Sequence, residues 1–574
     1  MLKSNISDNL IKLVALLIIG FVSLQYINII FSNIENVPKA SDDVNYIFYK
    51  MYRDVFLKPS AESIFSHFLM SGDPHQKLDA KLVSYLSYLI SGEINFKFLL
   101  GFGHALYILG FVFLVKLFRP VNWLVIAGAA CIYFIPSWPI YQWTVAIWGY
   151  NTYIFYCITL AYLLQTKRNV LAIILTLFTI FSLGSGFLIL LIWILYSISK
   201  YFEDKSKPRL LHVIYTVLFL LAAVAFTYLR FDPGASDQTS NTLSASSFVH
   251  LLNFTTLFLT RLIKIYESLS SQLIFSYSFL FIGLLLILLR FKKIDNKTAL
   301  GIGILLVIIL NGAISGYTRA DLSLAIPEPP VRYEIFSFSF ISVLVLTIAH
   351  LYSLLDTRKL KVILPSILIT SLGLWLNMKH SEVAQIKIEH TRNIILDNFK
   401  SSLSQNKKQK KNYNLETYIN EGFYRIPKLN ELQEGIQIDP LDLSQIEPDS
   451  NWVIDPLSEG ISPHGVLLSG TMYNPQVDEK NAEVIIRFRS TNRNQPDLYY
   501  SAVVEDKVDI INYRFERKKL SKQREIDTGY SFFIDNSQFD IENNEYNIAM
   551  FIKHDSKIVK KKKVGILSSV PEDE

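Results

Sequence analysis

Residues 169–199 read NVLAIILTLFTIFSLGSGFLILLIWILYSIS. As a single helix this run would measure about 46 Å at 1.5 Å per residue, well beyond the roughly 30 Å of a bilayer's hydrocarbon core. The interruption Gly184-Ser185-Gly186 resolves the conflict, because small residues with wide backbone freedom permit a tight helical hairpin. Two short apolar helices back to back, with no charge between them, place the chain among polytopic membrane proteins.

The rest of the sequence agrees. The chain has 574 residues, of which 51% are hydrophobic, 13% aromatic and only 18% charged, a composition expected of a membrane protein that also carries soluble mass. Eleven spans are predicted, at 11–31, 97–117, 121–137, 150–165, 169–183, 186–199, 209–229, 272–290, 298–315, 334–354 and 360–377. The first run lacks a small-residue cleavage site and reads as an uncleaved signal anchor. With eleven spans, Lys116 and Arg119, Lys167 and Arg168, Lys200 to Arg209, Arg290 to Lys297, and Arg358 to Lys361 all fall on one side. That side is expected to be cytoplasmic, with the N-terminus there and the loop 32–96 and the C-terminal domain outside.

A net charge of +6 with no basic stripe interleaved with aromatics argues against nucleic-acid binding. Cys131 and Cys157 both lie in apolar runs, so neither a disulfide framework nor a zinc site is expected. The fold class expected is therefore an α-helical polytopic domain over 1–378, a connector over 379–449 and an all-β sandwich over 450–574. The connector carries a helix at 380–405 and a solvated lysine run at Lys407, Lys408, Lys410 and Lys411. The sandwich is read from the alternating stretches GVLLSGTMY, AEVIIRFRS, LYYSAVVED, GYSFFID and EYNIAMFIKH. With no nucleophile motif and no cluster of His, Asp and Glu, it is assigned binding or scaffolding.

Chemistry is expected on the outer loops. Asp42 and Asp43, in KASDDVNYIFYKMYRD, follow the first span by about ten residues. Two carboxylates this close repel each other, which favours proton uptake by one of them and suits a general base. In GDPHQKLDAKLVSYLSYLISGEINF, helical spacing puts Lys77 and Lys81 on one face suited to a phosphate, or to lipid headgroups, with His75 as a second proton handler. In GYTRADLSLAIPEPPVRYEIFSF, Arg319 and Arg332 flank a proline-rich turn and offer forked donors for a phosphate or pyrophosphate. Trp138, Tyr141, Trp143 and Trp148, in PSWPIYQWTVAIWGYN, form either an interfacial belt or a wall for a sugar ring or prenyl chain. A divalent metal ion could be held by Asp43 with Asp54 and Glu62.

Together these residues resemble the GT-C superfamily of integral-membrane glycosyltransferases, which use polyprenyl-phosphate-linked sugars, and more closely a bacterial branch associated with surface polysaccharides. The likeness covers about residues 10–378. Ser41-Asp42-Asp43 matches the Asp motif of the first outer loop, which supplies the base in that superfamily. Tyr141 and Trp148 match a Tyr-to-Trp turn, SLGSGFLIL a small-residue hairpin, and Arg319, Arg332 and Tyr333 a GR…SRY motif. An EHR-type helix is matched only as Pro74-His75-Gln76, without its acid and arginine, with Lys77 the available substitute. The resemblance implies an inverting transfer of one sugar from an undecaprenyl-phosphate-linked donor to a glycan or glycoprotein acceptor outside the bacterial cytoplasmic membrane. Asp42 or Asp43 would act as base, Arg332, Arg319, Lys81, Lys77 and His75 as donor-phosphate ligands, and Tyr141, Trp143, Trp148 and Tyr333 as substrate-binding residues. The rivals are a Wzy-like polysaccharide polymerase and a flippase or transporter. The latter needs ionisable residues along its path, whereas the predicted spans are nearly charge-free in their middles.

Overall fold

The computed structural model describes residues 2–38, 51–57, 60, 68, 78–183, 185–203, 245–261, 269–317, 331–352, 360–404, 436–438, 453–462, 465–473, 482–492, 495–504, 508–516, 519–535, 544–554 and 557–567. The chain divides into two compact units, the first built mainly from residues 1–388 and the second mainly from 389–574.

The first unit is helical. Its described helices are α1 (Leu2–Phe31), α2 (Leu78–Ser91), α3 (Phe96–Phe118), α4 (Trp123–Tyr133), α5 (Thr144–Gln165), α6 (Asn169–Ser182), α7 (Leu190–Glu203), α8 (Ala245–Thr260), α9 (Leu269–Leu288), α10 (Asn296–Tyr317) and α11 (Glu334–Leu351). The long helix α12 (Leu360–Ser404) follows; the predicted span 360–377 and the predicted helix 380–405 are one continuous element. Helix starts are set by side-chain caps. Asn95 Oδ1 accepts the amide of Phe98 at 2.9 Å, Asn122 Oδ1 that of Leu124 at 2.9 Å, and Asp295 Oδ1 that of Thr298 at 2.9 Å.

The hairpin expected at 169–199 is present. A Cβ on Gly186 would meet the Thr179 carbonyl oxygen at 2.2 Å, so only glycine fits where the chain folds back. Further along, Trp193 Nε1 donates to Thr176 Oγ1 across the two arms at 2.8 Å.

Among the described residues, four helices are long and apolar enough, by length and composition, to cross a membrane: Asn9–Phe31, Phe96–Phe118, Asn296–Gly316 and Glu334–Leu351. Several shorter apolar helices join them, and together they mark a membrane protein. The count of eleven spans is not confirmed. Part of the shortfall is length: α4 at 11 residues and α6 at 14 rise only about 17 and 21 Å, short of roughly 30 Å. Helix α5 has 22 residues but is interrupted by polar side chains such as Asn151 and Thr152. The predicted span 209–229 lies outside the described residues.

Packing between these helices relies on small residues and on side chains reaching a neighbour's backbone, the two devices available where lipid cancels the hydrophobic drive. A Cβ on Gly103 of α3 would sit 2.3 Å from Ile147 of α5. Thr370 donates to the Leu124 carbonyl at 2.6 Å and Asn377 to the Cys131 carbonyl at 2.7 Å, which fastens α12 to α4. Tyr107 and Tyr133 stack at 4.2 Å and each donates to the other's backbone carbonyl.

The strands of the second unit form two antiparallel sheets. One has the order β1 (Ile436–Ile438), β5 (Leu498–Ser501), β4 (Ala482–Ser490), β9 (Tyr546–His554), β10 (Lys557–Leu567). The other has β2 (Val453–Ser462), β3 (Gly465–Tyr473), β8 (Lys519–Asp535) and β6 (Val503–Val504), with β7 (Val508–Glu516) also paired to β8. GVLLSGTMY and AEVIIRFRS coincide with β3 and β4. In the first sheet Val484, Ile486, Phe488, Ile548, Met550 and Ile552 share one buried cluster, the even-numbered positions of neighbouring strands.

Candidate functional site

Arg332 sits in the short turn Val331–Tyr333 that leads into α11. Its guanidinium carbon lies 5.6 Å from the centre of the Trp143 ring and 5.5 Å from that of Tyr333. Trp143 is the residue preceding α5, so the contact joins the starts of two helices. Tyr333 is buried and continues into an aromatic cluster with Tyr150, Phe258 and Phe336 at centroid separations of 5.3 to 6.5 Å. Two residues on from Arg332, Glu334 forms an ion pair with Arg261, Oε1 to Nε 3.5 Å.

Arg332 Nε is buried and has no hydrogen-bond partner among the described residues. A buried donor left unpaired costs about 1–3 kcal/mol. Held against two ring faces with its Nε–H unpaired, the guanidinium has the chemistry of an anion site for a carboxylate or phosphate.

The other candidate residues are placed differently. Asp42, Asp43, His75, Lys77 and Arg319 lie outside the described residues, as do Glu62 and the side chain of Asp54. Trp148 is 1% exposed, donates its indole N–H to the Leu99 carbonyl at 3.2 Å and stacks on Phe102, so its surroundings are helix packing. Tyr141 is also fully buried, and its carbonyl lies 3.3 Å from His104 Nε2. Lys81 is 5% exposed on α2. Among the described residues no three His, Cys, Asp or Glu side chains converge as a metal site.

Two buried polar groups were not singled out from sequence. Asp79, 1% exposed, accepts Thr152 Oγ1 at 3.2 Å and Tyr156 OH at 3.1 Å on one carboxylate oxygen and the Ala80 amide at 2.8 Å on the other. His104, in the middle of α3, places Nδ1 at 2.9 Å from Tyr26 OH and 3.3 Å from Asn151 Nδ2. With Nε2–H donating to the Tyr141 carbonyl, Nδ1 is the acceptor in this network. The available signal was plain for His104, a lone ionisable residue inside an apolar run. For Asp79 helical spacing gave none: it lies three residues before Leu82, on the side of Leu82, Leu86 and Leu89, and its burial comes from Thr152 and Tyr156 on α5.

Comparison with known proteins finds no matching family model, no matching curated protein and no matching solved structure.

Proposed function

We propose that this chain is an inverting GT-C type glycosyltransferase that moves a sugar from an undecaprenyl-phosphate-linked donor to a glycan or protein acceptor at the outer face of the bacterial cytoplasmic membrane. The observation that carries this reading is Arg332, a guanidinium framed by Trp143 and Tyr333 with a buried, unpartnered Nε at the start of a membrane helix. A lipid phosphate is an anion delivered at that level of a membrane protein. In the proposed step the acceptor hydroxyl attacks the anomeric carbon, and its proton passes to Asp42 or Asp43. The bond from that carbon to the lipid phosphate breaks, and Arg332, with Arg319 or Lys81, offsets the charge left on the phosphate. The second unit serves as a sandwich module that scaffolds or binds the acceptor.

The test is replacement of Asp42 and Asp43 by Asn, separately, and of Arg332 by Ala and by Lys, followed by analysis of surface glycan composition. Loss of one sugar type is expected from one of the Asn variants. Loss of about 10²–10³ in transfer rate is expected for Arg332→Ala, the size of effect seen when one charge-stabilising donor is removed. Unchanged glycan from both Asn variants, at normal protein level, would sink the assignment of the base. Shortened chains of unchanged composition would point instead to polymerisation.

A second reading, a flippase or transporter of glycan lipids, draws on a separate observation. Asp79, Lys81 and His104 are ionisable groups buried among the helices, the feature such a protein needs. Movement of a labelled glycan lipid across vesicles without sugar transfer would favour it.

A further inference from the structure

Helix α2 is inside out by the standard of a water-soluble protein. Its buried residues are Asp79, Ala80, Lys81, Ser84 and Ser87, while Leu82, Leu86, Leu89 and Ile90 are 38, 46, 61 and 72% exposed. A helix lying in water on a protein surface shows the opposite pattern. The exposed apolar face does not stand alone. α2 packs against α3, α5 and α6, whose own outer positions include Phe98, Phe102, Ile174 and Leu177, so one apolar surface continues across these elements.

The position of Asp79 adds depth. α3 and α5 run side by side in the same direction: Leu99 and Gly103 meet Trp148 and Ile147, Gly110 meets Phe155, and Phe113 stacks on Tyr162. Thr152 and Tyr156, the donors to Asp79, therefore lie level with about the middle of α3, which at 23 residues is long and apolar enough to cross a membrane. At the other end, α2 closes at Gly92, whose φ of +71° turns the chain, and Asn95 caps the start of α3. At 14 residues α2 rises only about 21 Å, too little to cross roughly 30 Å.

We propose that α2 is a half-span that runs from the middle of the bilayer to its surface, with lipid acyl chains against Leu82, Leu86, Leu89 and Ile90 and with Asp79 seated in the protein interior at mid-depth. Thr152 and Tyr156 give this carboxylate the hydrogen bonds that hydrocarbon does not offer. The inference does not depend on the chemistry the chain performs.

The test uses the full chain with single nitroxides at Leu82→Cys, Leu86→Cys and Ile90→Cys, reconstituted in phosphatidylcholine–phosphatidylglycerol vesicles. Cys131 and Cys157 are buried, and an unlabelled-site control accounts for them. Collision with oxygen, which partitions into lipid, is compared with collision with a water-soluble nickel chelate. The ratio is expected to favour oxygen at all three sites and to rise from Ile90 to Leu82, corresponding to about 12 Å of depth over eight helical residues. Equal ratios at the three sites would show a helix lying flat in the interface. Dominant nickel collision would show a water-facing helix. Low collision with both reagents would show a protein cover such as a second copy. Each of these three results overturns the proposal.

Discussion

The Arg332 guanidinium stands 5.6 Å from the centre of the Trp143 ring, which couples the turn before α11 to the start of α5. A cation over an indole contributes about 0.5–2 kcal/mol, more as water is excluded. A double-mutant cycle of Arg332→Ala and Trp143→Ala, read by unfolding of the purified chain in detergent, is expected to show a coupling of about that size. Strict additivity of the two substitutions would remove the contact from the account.

The helical hairpin is pinned by the bond from Trp193 Nε1 to Thr176 Oγ1 at 2.8 Å. Trp193→Phe keeps much of the ring and deletes the donor. Thr176 stays satisfied, because its hydroxyl donates to the Ala172 carbonyl at 2.7 Å. The expected loss is therefore about 1 kcal/mol, measured as thermal stability, without loss of the fold. Thr176→Val removes the acceptor of a fully buried indole N–H and should cost more.

Gly128 on α4 has no room for a side chain. A Cβ there would lie 2.8 Å from the Ile369 side chain and 3.1 Å from its carbonyl oxygen, and the backbone cannot swing aside as a side chain can. Gly128→Ala is expected to destabilise by about 1–3 kcal/mol. Gly20→Ala, where a Cβ meets nothing within 4 Å inside α1, should instead stabilise by up to about 1 kcal/mol.

Asp295 carries a pH signature. Burial pushes its carboxyl up, but the His350 side chain at 2.9 Å and the Thr298 amide and hydroxyl outweigh that and hold it well below the usual carboxylate range. A carboxyl lowered in the folded state adds stability that is complete above its ordinary pKa of about 4 and fades as pH falls toward the lowered value. Asp295→Asn should therefore lower the melting temperature at pH 7, with the gap to the parent chain narrowing below about pH 4. The side chain is 46% exposed, so solvent screening keeps the effect small. A gap that widened in acid would contradict this account.

Much of the local structure was legible because its causes are local. The hairpin follows from Gly186 between two apolar runs, and β3 and β4 follow from strict alternation in GVLLSGTMY and AEVIIRFRS. β10 was missed because Lys560 to Lys563 mask the alternation, and its pairing with β9 supplies what the strand's own pattern lacks. Of the candidate site, Arg332 lies against the rings of Trp143 and Tyr333, a contact that neither turn's sequence specifies. Trp148 and Tyr141 do not join them at an open surface, since burial depends on which helix lands beside them.

The sequence by itself determined that α2 has two faces: Leu82, Leu86, Leu89 and Ile90 on one, Ala80, Ser84 and Ser87 on the other. Only the tertiary structure decided which face turns inward. Spacing at 3.6 residues per turn separates polar from apolar but carries no sign. In water the apolar stripe seeks the core, whereas against lipid the polar face does, because hydrocarbon offers a hydroxyl no hydrogen bond; Asp79, in the first turn on the leucine side, is drawn inward by Thr152 and Tyr156.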